Sequence, residues 1–139
     1  MMSKTPQEIE VWYIIPALRR ELVKGLIASG LSQKKAAIKL GLTESAVSQY
    51  LSDKRAAGIK FNEKIAAKIS EAVKNILEGS QPIGEIYRLT QQVKFDTTIC
   101  KVHNMYDSDV PQDCNVCELY EPAENLVHIK QPKKEAIVV

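Results

Sequence analysis

"SQKKAAIKLGLTESAVSQYLSDKR", residues 32–55, carries two short helical periods separated by a single glycine. Ser32 and Thr43 are side chains that accept from the free N–H groups at a helix start, so they predict helices opening at Gln33 and Glu44. Gly41 supplies the positive φ that ends the first helix at Leu40. Ala37 sits where the two helices must cross closely, and a larger side chain would push them apart. Leu42, Val47 and Tyr50 or Leu51 then fall on the inward face and lock the pair. A small residue, then glycine, valine and a bulky apolar residue at these intervals predicts a helix-turn-helix unit, its last helix covering 44–52.

With those residues inward, the outward face is Glu44, Ser45, Ser48 and Gln49, opened by Thr43. A solvated helix face usually alternates Glu and Lys, whereas this one has a single charge. Small hydrogen-bonding side chains can meet base edges without steric bulk. The start of such a helix is the part that enters a major groove. Gln33 is placed to clamp a phosphate, and Lys54 and Arg55 to hold the flanking backbone, so that phosphate contacts position and base contacts specify. The expected partner is double-stranded DNA. Glu44 has two candidate roles, accepting from a cytosine N4 or stabilising the helix N-terminus.

Outward from this unit the same signals continue. Leu18, Leu22 and Leu26, widened by Ile15, Val23 and Ile27, predict a helix over 16–29 with Pro16 in its first turn and Gly30 closing it. Asn62 opens another helix running to about Glu78, with Ile65, Ile69, Val73 and Ile76 or Leu77 inward. After Gly79-Ser80-Gln81-Pro82, a fifth helix is expected from about Ile83 to Val93. Beyond that the composition shifts to Cys, Asp, Asn and Pro, and no amphipathic period is apparent.

Composition bounds the rest. The chain has 139 residues, 45% hydrophobic and 26% charged, the balance of a globular protein with room for one domain or two small ones. No apolar run approaches the ~18 residues of a membrane span. MMSKTPQEIE lacks the apolar core of a signal peptide, so a cytoplasmic location is expected. The net charge of +2 hides an asymmetry: residues 1–78 hold 13 Lys/Arg against 8 Asp/Glu, and the remainder holds 6 against 9. A basic N-terminal half suits a polyanion. No nucleophile–base set, phosphate-cradling glycine loop or carboxylate pair is visible, so no enzymatic activity is expected.

All three cysteines fall within a short span, as Cys100, Cys114 and Cys117, with His103 among them. Cys-x2-His followed by Cys-x2-Cys offers two knuckles, each presenting two ligands, which is the donor set of a closed zinc site. An iron–sulfur cluster is the alternative, since imidazole can replace thiolate there. An odd cysteine count in a reducing compartment argues against a disulfide framework. A thioredoxin-like reading of Cys114-x2-Cys117 lacks its βαβ context. The surroundings are acidic: Asp96, Asp107, Asp109, Asp113, Glu118, Glu121 and Glu124 stand against Lys101. This half should face away from DNA, and its few large apolar side chains make a metal the expected staple. His128 lies outside the spacing and is read as structural or exposed.

The stretch "IIPALRRELVKGLIASGLSQKKAAIKLGLTESAVSQYLSDKR" resembles predicted archaeal transcriptional regulators with a lambda-repressor-like (XRE-type) helix-turn-helix. The resemblance lies in the Pro-Ala-Leu-Arg opening, the Leu-Ser-Gln before the second helix, and the Ala-Val-Ser-Gln-Tyr-Leu-Ser run before a basic pair. It covers about residues 14–56, less than a third of the chain. It implies DNA binding and a cysteine-rich C-terminal segment, in which the family often has a further Cys pair; Ile86 and Leu89 stand there in this chain.

The sequence therefore predicts a mainly α protein: a lambda-repressor-like bundle of four to five helices plus a small irregular metal-binding module. The expected layout is a helix-turn-helix domain over 1–78, a connecting helix over 83–95, a Cys/His module over 96–124 and a tail over 125–139. The expected function is sequence-specific DNA binding in transcriptional regulation, with a structural or sensory Cys3His site. Its rivals are an iron–sulfur redox sensor on the same scaffold and a helix-turn-helix adaptor for protein partners. Val11-Trp12-Tyr13-Ile14-Ile15 offers more apolar surface than the unit needs, which points either to a homodimer or to Trp12 completing the core.

Overall fold

A computed structural model describes residues 4–96 and 98–122, and every regular element among them is a helix. Glu124, His128 and the tail from residue 125 lie outside the described residues. No described helix is long and apolar enough to cross a membrane.

The chain begins with α1 (Pro6–Ile9), opened by Thr5 and Glu8 in a reciprocal cap: Thr5 N–H donates to Glu8 Oε2 at 2.7 Å and Glu8 N–H to Thr5 Oγ1 at 3.3 Å. A π-helical turn, Glu10–Ile14, joins it to α2 (Ile15–Ala28) with no break in direction at its flanking residues, which keep right-handed helical dihedrals. Pro16 explains the widened turn. It has no N–H to donate, and its ring would clash in a regular α-helical turn. The Ile15 N–H bonds instead to the Glu10 carbonyl, one residue further back than in an α-helix. The helix expected at Pro16 is thus the second half of a longer one.

Then follow α3 (Gln33–Leu40) and α4 (Glu44–Leu51). Ser32 Oγ accepts from Lys35 N–H at 3.2 Å and Thr43 Oγ1 from Ala46 N–H at 3.0 Å, while Gly41 sits at φ 65° between them. Ala37, Val47 and Tyr50 are buried together with Val23 of α2 and Ala46. Tyr50 is the inward residue; Leu51 is half-buried. α5 (Glu63–Leu77) is capped by Asn62, whose Oδ1 accepts from Ile65 N–H at 2.9 Å. It buries Ile76 rather than Leu77. α2 and α5 approach closely at Gly25, where a Cβ would stand 2.6 Å from Val73 Cγ2. A glycine in mid-helix is costly, and here it is what lets the helices touch.

α6 (Pro82–Phe95) lays Leu89 and Val93 on the main core. The irregular chain expected after it is not found at 98–106. α7 (Thr98–Tyr106) buries Ile99 and Val102 in the same core as Leu18, Leu22 and Ile65. It also packs on α1 and the π turn, with the Tyr106 ring stacked on Tyr13 at 3.7 Å between centroids. Its apolar stripe is only two residues deep, so the sequence alone does not display it. A short α8 (Val116–Tyr120) follows and buries none of its residues.

Candidate nucleic-acid interface and cysteine pocket

The two candidate sites lie on different parts of the chain and are built differently. On the first, Gln33, Thr43, Glu44, Ser45, Ser48, Lys54 and Arg55 are all exposed, and Gln49 is half-buried. Seven of these eight flank or belong to α4, so one short helix presents nearly the whole predicted set. Glu44 lies in the first turn of α4, where its carboxylate complements the exposed N–H groups.

The end of α4 is held as firmly as its start. Asp53 N–H donates to Tyr50 O at 3.3 Å and Lys54 N–H to Gln49 O at 3.0 Å, the paired bonds of a Schellman turn. The turn needs a left-handed residue, and Asp53 takes that role at φ 56°. Lys24 Nζ of α2 fixes the Asp53 carboxylate at 3.0 Å. The Arg55 guanidinium lies over the Tyr50 ring, 5.5 Å from its centroid, an attraction between cation and ring face. Lys54 and Arg55 therefore leave α4 in a defined direction.

Arg20 was not among the expected site residues, yet it anchors this loop. It is buried on α2, and its guanidinium donates to the carbonyls of Ala56 and Ile59, with Glu21 Oε1 at 2.8 Å as its counter-ion. Ala56 is held at φ 57° by that arrangement. Tyr106 closes over the same loop, its hydroxyl 2.6 Å from where a Gly58 Cβ would stand. An arginine interrupting an apolar helical stripe was the available signal for this role.

On the second site, Cys100, His103, Cys114 and Cys117 line one pocket of about 910 Å³, together with Lys4, Lys101 and Glu118. Cys100 and His103 are one turn apart on α7, not in a knuckle. Cys114 lies in the turn before α8 and Cys117 within it. Burial, then the neighbouring Cys117 and Cys114, push the Cys100 thiol up; burial, then Cys114, push up Cys117. The thiols are thus near enough to feel one another. Among the described residues, however, no three His, Cys, Asp or Glu side chains converge tightly enough to hold an ion as they stand.

His103 is 9% exposed, and its Nε2 has no hydrogen-bond partner. The nearest acidic oxygen, Asp107 Oδ2, is 3.9 Å away. Asp107 is itself buried and accepts from the backbone N–H groups of Lys4 at 3.3 Å and Asp109 at 3.2 Å. Three soft sulfur donors and one imidazole suit a thiophilic ion in donor type.

No family model, no curated protein and no solved structure matches this chain.

Proposed function

We propose that the protein binds duplex DNA sequence-specifically through α4, as a lambda-repressor-like helix-turn-helix transcriptional regulator. The observation that carries this is the row Thr43, Ser45, Ser48 and Gln49: small polar groups on a capped helix, with an ordered basic pair at its end. Ser48 and Gln49 read base edges; Gln33, Lys54 and Arg55 meet phosphates. The reading includes a homodimer, because two recognition helices about one helical turn apart (~34 Å) read a two-fold site. Supporting that part, Trp12 is 54% exposed and so does not complete the core. Ile83, Tyr87 and Phe95 lie exposed along one side of α6.

The test is binding of the full chain to duplexes selected from a random pool, followed by fluorescence anisotropy. Gln49→Ala should cost about 1–3 kcal/mol on the selected site and little on others. Arg55→Ala should weaken all duplexes alike and lower the salt dependence by about one counterion. Binding without selectivity that neither substitution alters would refute the assignment of α4. A monomer on a selected site, seen by sedimentation, would remove the homodimer.

A further inference from the structure

We propose that Cys100, His103, Cys114 and Cys117 bind a single thiophilic divalent ion, zinc being the natural occupant, and that binding closes residues 111–120 onto α7. The site has a fixed half and a loose half. Cys100 and His103 ride on α7, whose Ile99 and Val102 are buried in the main core, so that pair cannot drift. Cys114 and Cys117 sit on a segment rooted at Val110, which is buried and whose carbonyl accepts from Asn104 Nδ2 at 2.6 Å.

Beyond that root no residue of 111–120 is buried. α8 has five residues and buries none of them; Leu119 is 71% exposed and Tyr120 81%. A helix this short is not stable by its own hydrogen bonds. Something must cover or tether it, and its two cysteines share a pocket with Cys100 and His103 on α7.

His103 supplies the second, independent observation. A buried ring nitrogen without a hydrogen bond is expensive. Nε2 faces Asp107, so a modest approach from 3.9 Å gives the arrangement in which a carboxylate holds one imidazole nitrogen and leaves the other, Nδ1, for an ion. Asp107 is thereby a positioning residue. Closure of the 111–120 segment brings the remaining two sulfurs to the ~2.3 Å that zinc requires. Three thiols lose their protons to solvent on binding, and the three thiolates leave one net negative charge around a divalent ion. Two ligand pairs closing on a single ion make the tetrahedral set of a closed zinc site.

The experiment is cobalt titration of the full chain, reduced and freed of metal by chelation. One equivalent of Co2+ should give thiolate charge-transfer and tetrahedral d–d bands, bleached by one equivalent of Zn2+. Chymotryptic cleavage after Leu119 and Tyr120 should slow about tenfold when the ion is bound. Cys114→Ser and Cys117→Ser lie on the exposed segment and leave the core untouched; each should weaken Co2+ and abolish that protection. Asp107→Asn should lower affinity by about 10–100-fold with stoichiometry unchanged. Absence of the tetrahedral bands, or affinity indifferent to both serine variants, would overturn the proposal. So would iron with acid-labile sulfide in the anaerobically purified protein.

Discussion

Residues 32–55 and residues 98–120 are of similar length, are largely helical, and are stabilised by opposite means. The first is specified locally: each helix has its own cap, the turn has its glycine, and the inward residues recur at fixed intervals. The second is specified from a distance. α7 has two deeply buried apolar side chains and becomes a helix because α1, the π turn and α6 offer it a surface. α8 has no such surface and stays exposed. Local specification is readable in a sequence; tertiary specification is not.

The sharpest way to break that contrast is to ask whether α7 belongs to the core thermodynamically. Ile99→Ala should destabilise the protein by roughly 2–5 kcal/mol, the range for buried Ile truncated to Ala. Because Ile99 packs in the same cluster as Leu18 and Ile65, the loss should appear in the unfolding of α2–α5 as well. Leu119→Ala, on metal-free protein, should stay within about 0.5 kcal/mol, as for other exposed sites. Denaturant unfolding followed by helical signal decides it. A separate early transition for Ile99→Ala, with the remaining helices unchanged, would make 98–120 an autonomous unit.

The same contrast separates what is legible in the sequence from what is not. Ser32, Gly41, Thr43 and Asn62 placed four helix ends to the residue, because capping is chemistry between neighbours in sequence. The split between Tyr50 and Leu51, or Ile76 and Leu77, could not be settled, since adjacent apolar residues differ only in which partner they meet. Arg20 stands out only as a charge in an apolar stripe; what it anchors is not legible, because its acceptors, the Ala56 and Ile59 carbonyls, lie far along the chain. The cysteine spacing singles out four residues that line one pocket. It misjudged their local geometry, since an x2 spacing fits one turn of a helix as well as a knuckle.

A medium-sized effect tests whether the two regions communicate. Gly58 follows α4 in the loop that Tyr106 of α7 covers, and Tyr106 is pinned by its stack on Tyr13. Gly58→Ala should therefore cost about 1–3 kcal/mol, as overpacking does. Tyr106→Phe removes the oxygen that a new Cβ would meet; the next ring atom is 4.0 Å away. The double variant should recover most of the loss made by Gly58→Ala. Simple additivity in a double-mutant cycle would show that the two residues do not press on each other.

The smallest effect lies at the joint between the core and α7. Asp96 Oδ1 accepts from Thr98 N–H at 3.0 Å and Oδ2 from Asn62 Nδ2 at 3.3 Å, so one carboxylate ties the start of α7 to the cap of α5. Burial pushes its pKa up, but the Thr98 and Asn62 hydrogen bonds and the charge of Lys64 outweigh it and leave the folded value below the ordinary one. A carboxyl held low when folded adds stability above its unfolded pKa of ~3.9, and that stability is lost as pH falls through the folded value. Asp96→Ala should cost about 1 kcal/mol at neutral pH, the worth of a helix cap. Asp96→Asn keeps an acceptor and should cost only a few tenths there, by the same comparison of capping residues. Measured by urea unfolding, the gap between the wild type and Asp96→Asn should be constant above about pH 5 and shrink below pH ~4, where the carboxyl protonates. A gap that holds steady down to the lowest pH at which the protein stays folded would mean that hydrogen-bond geometry, not charge, fastens α7 to the core.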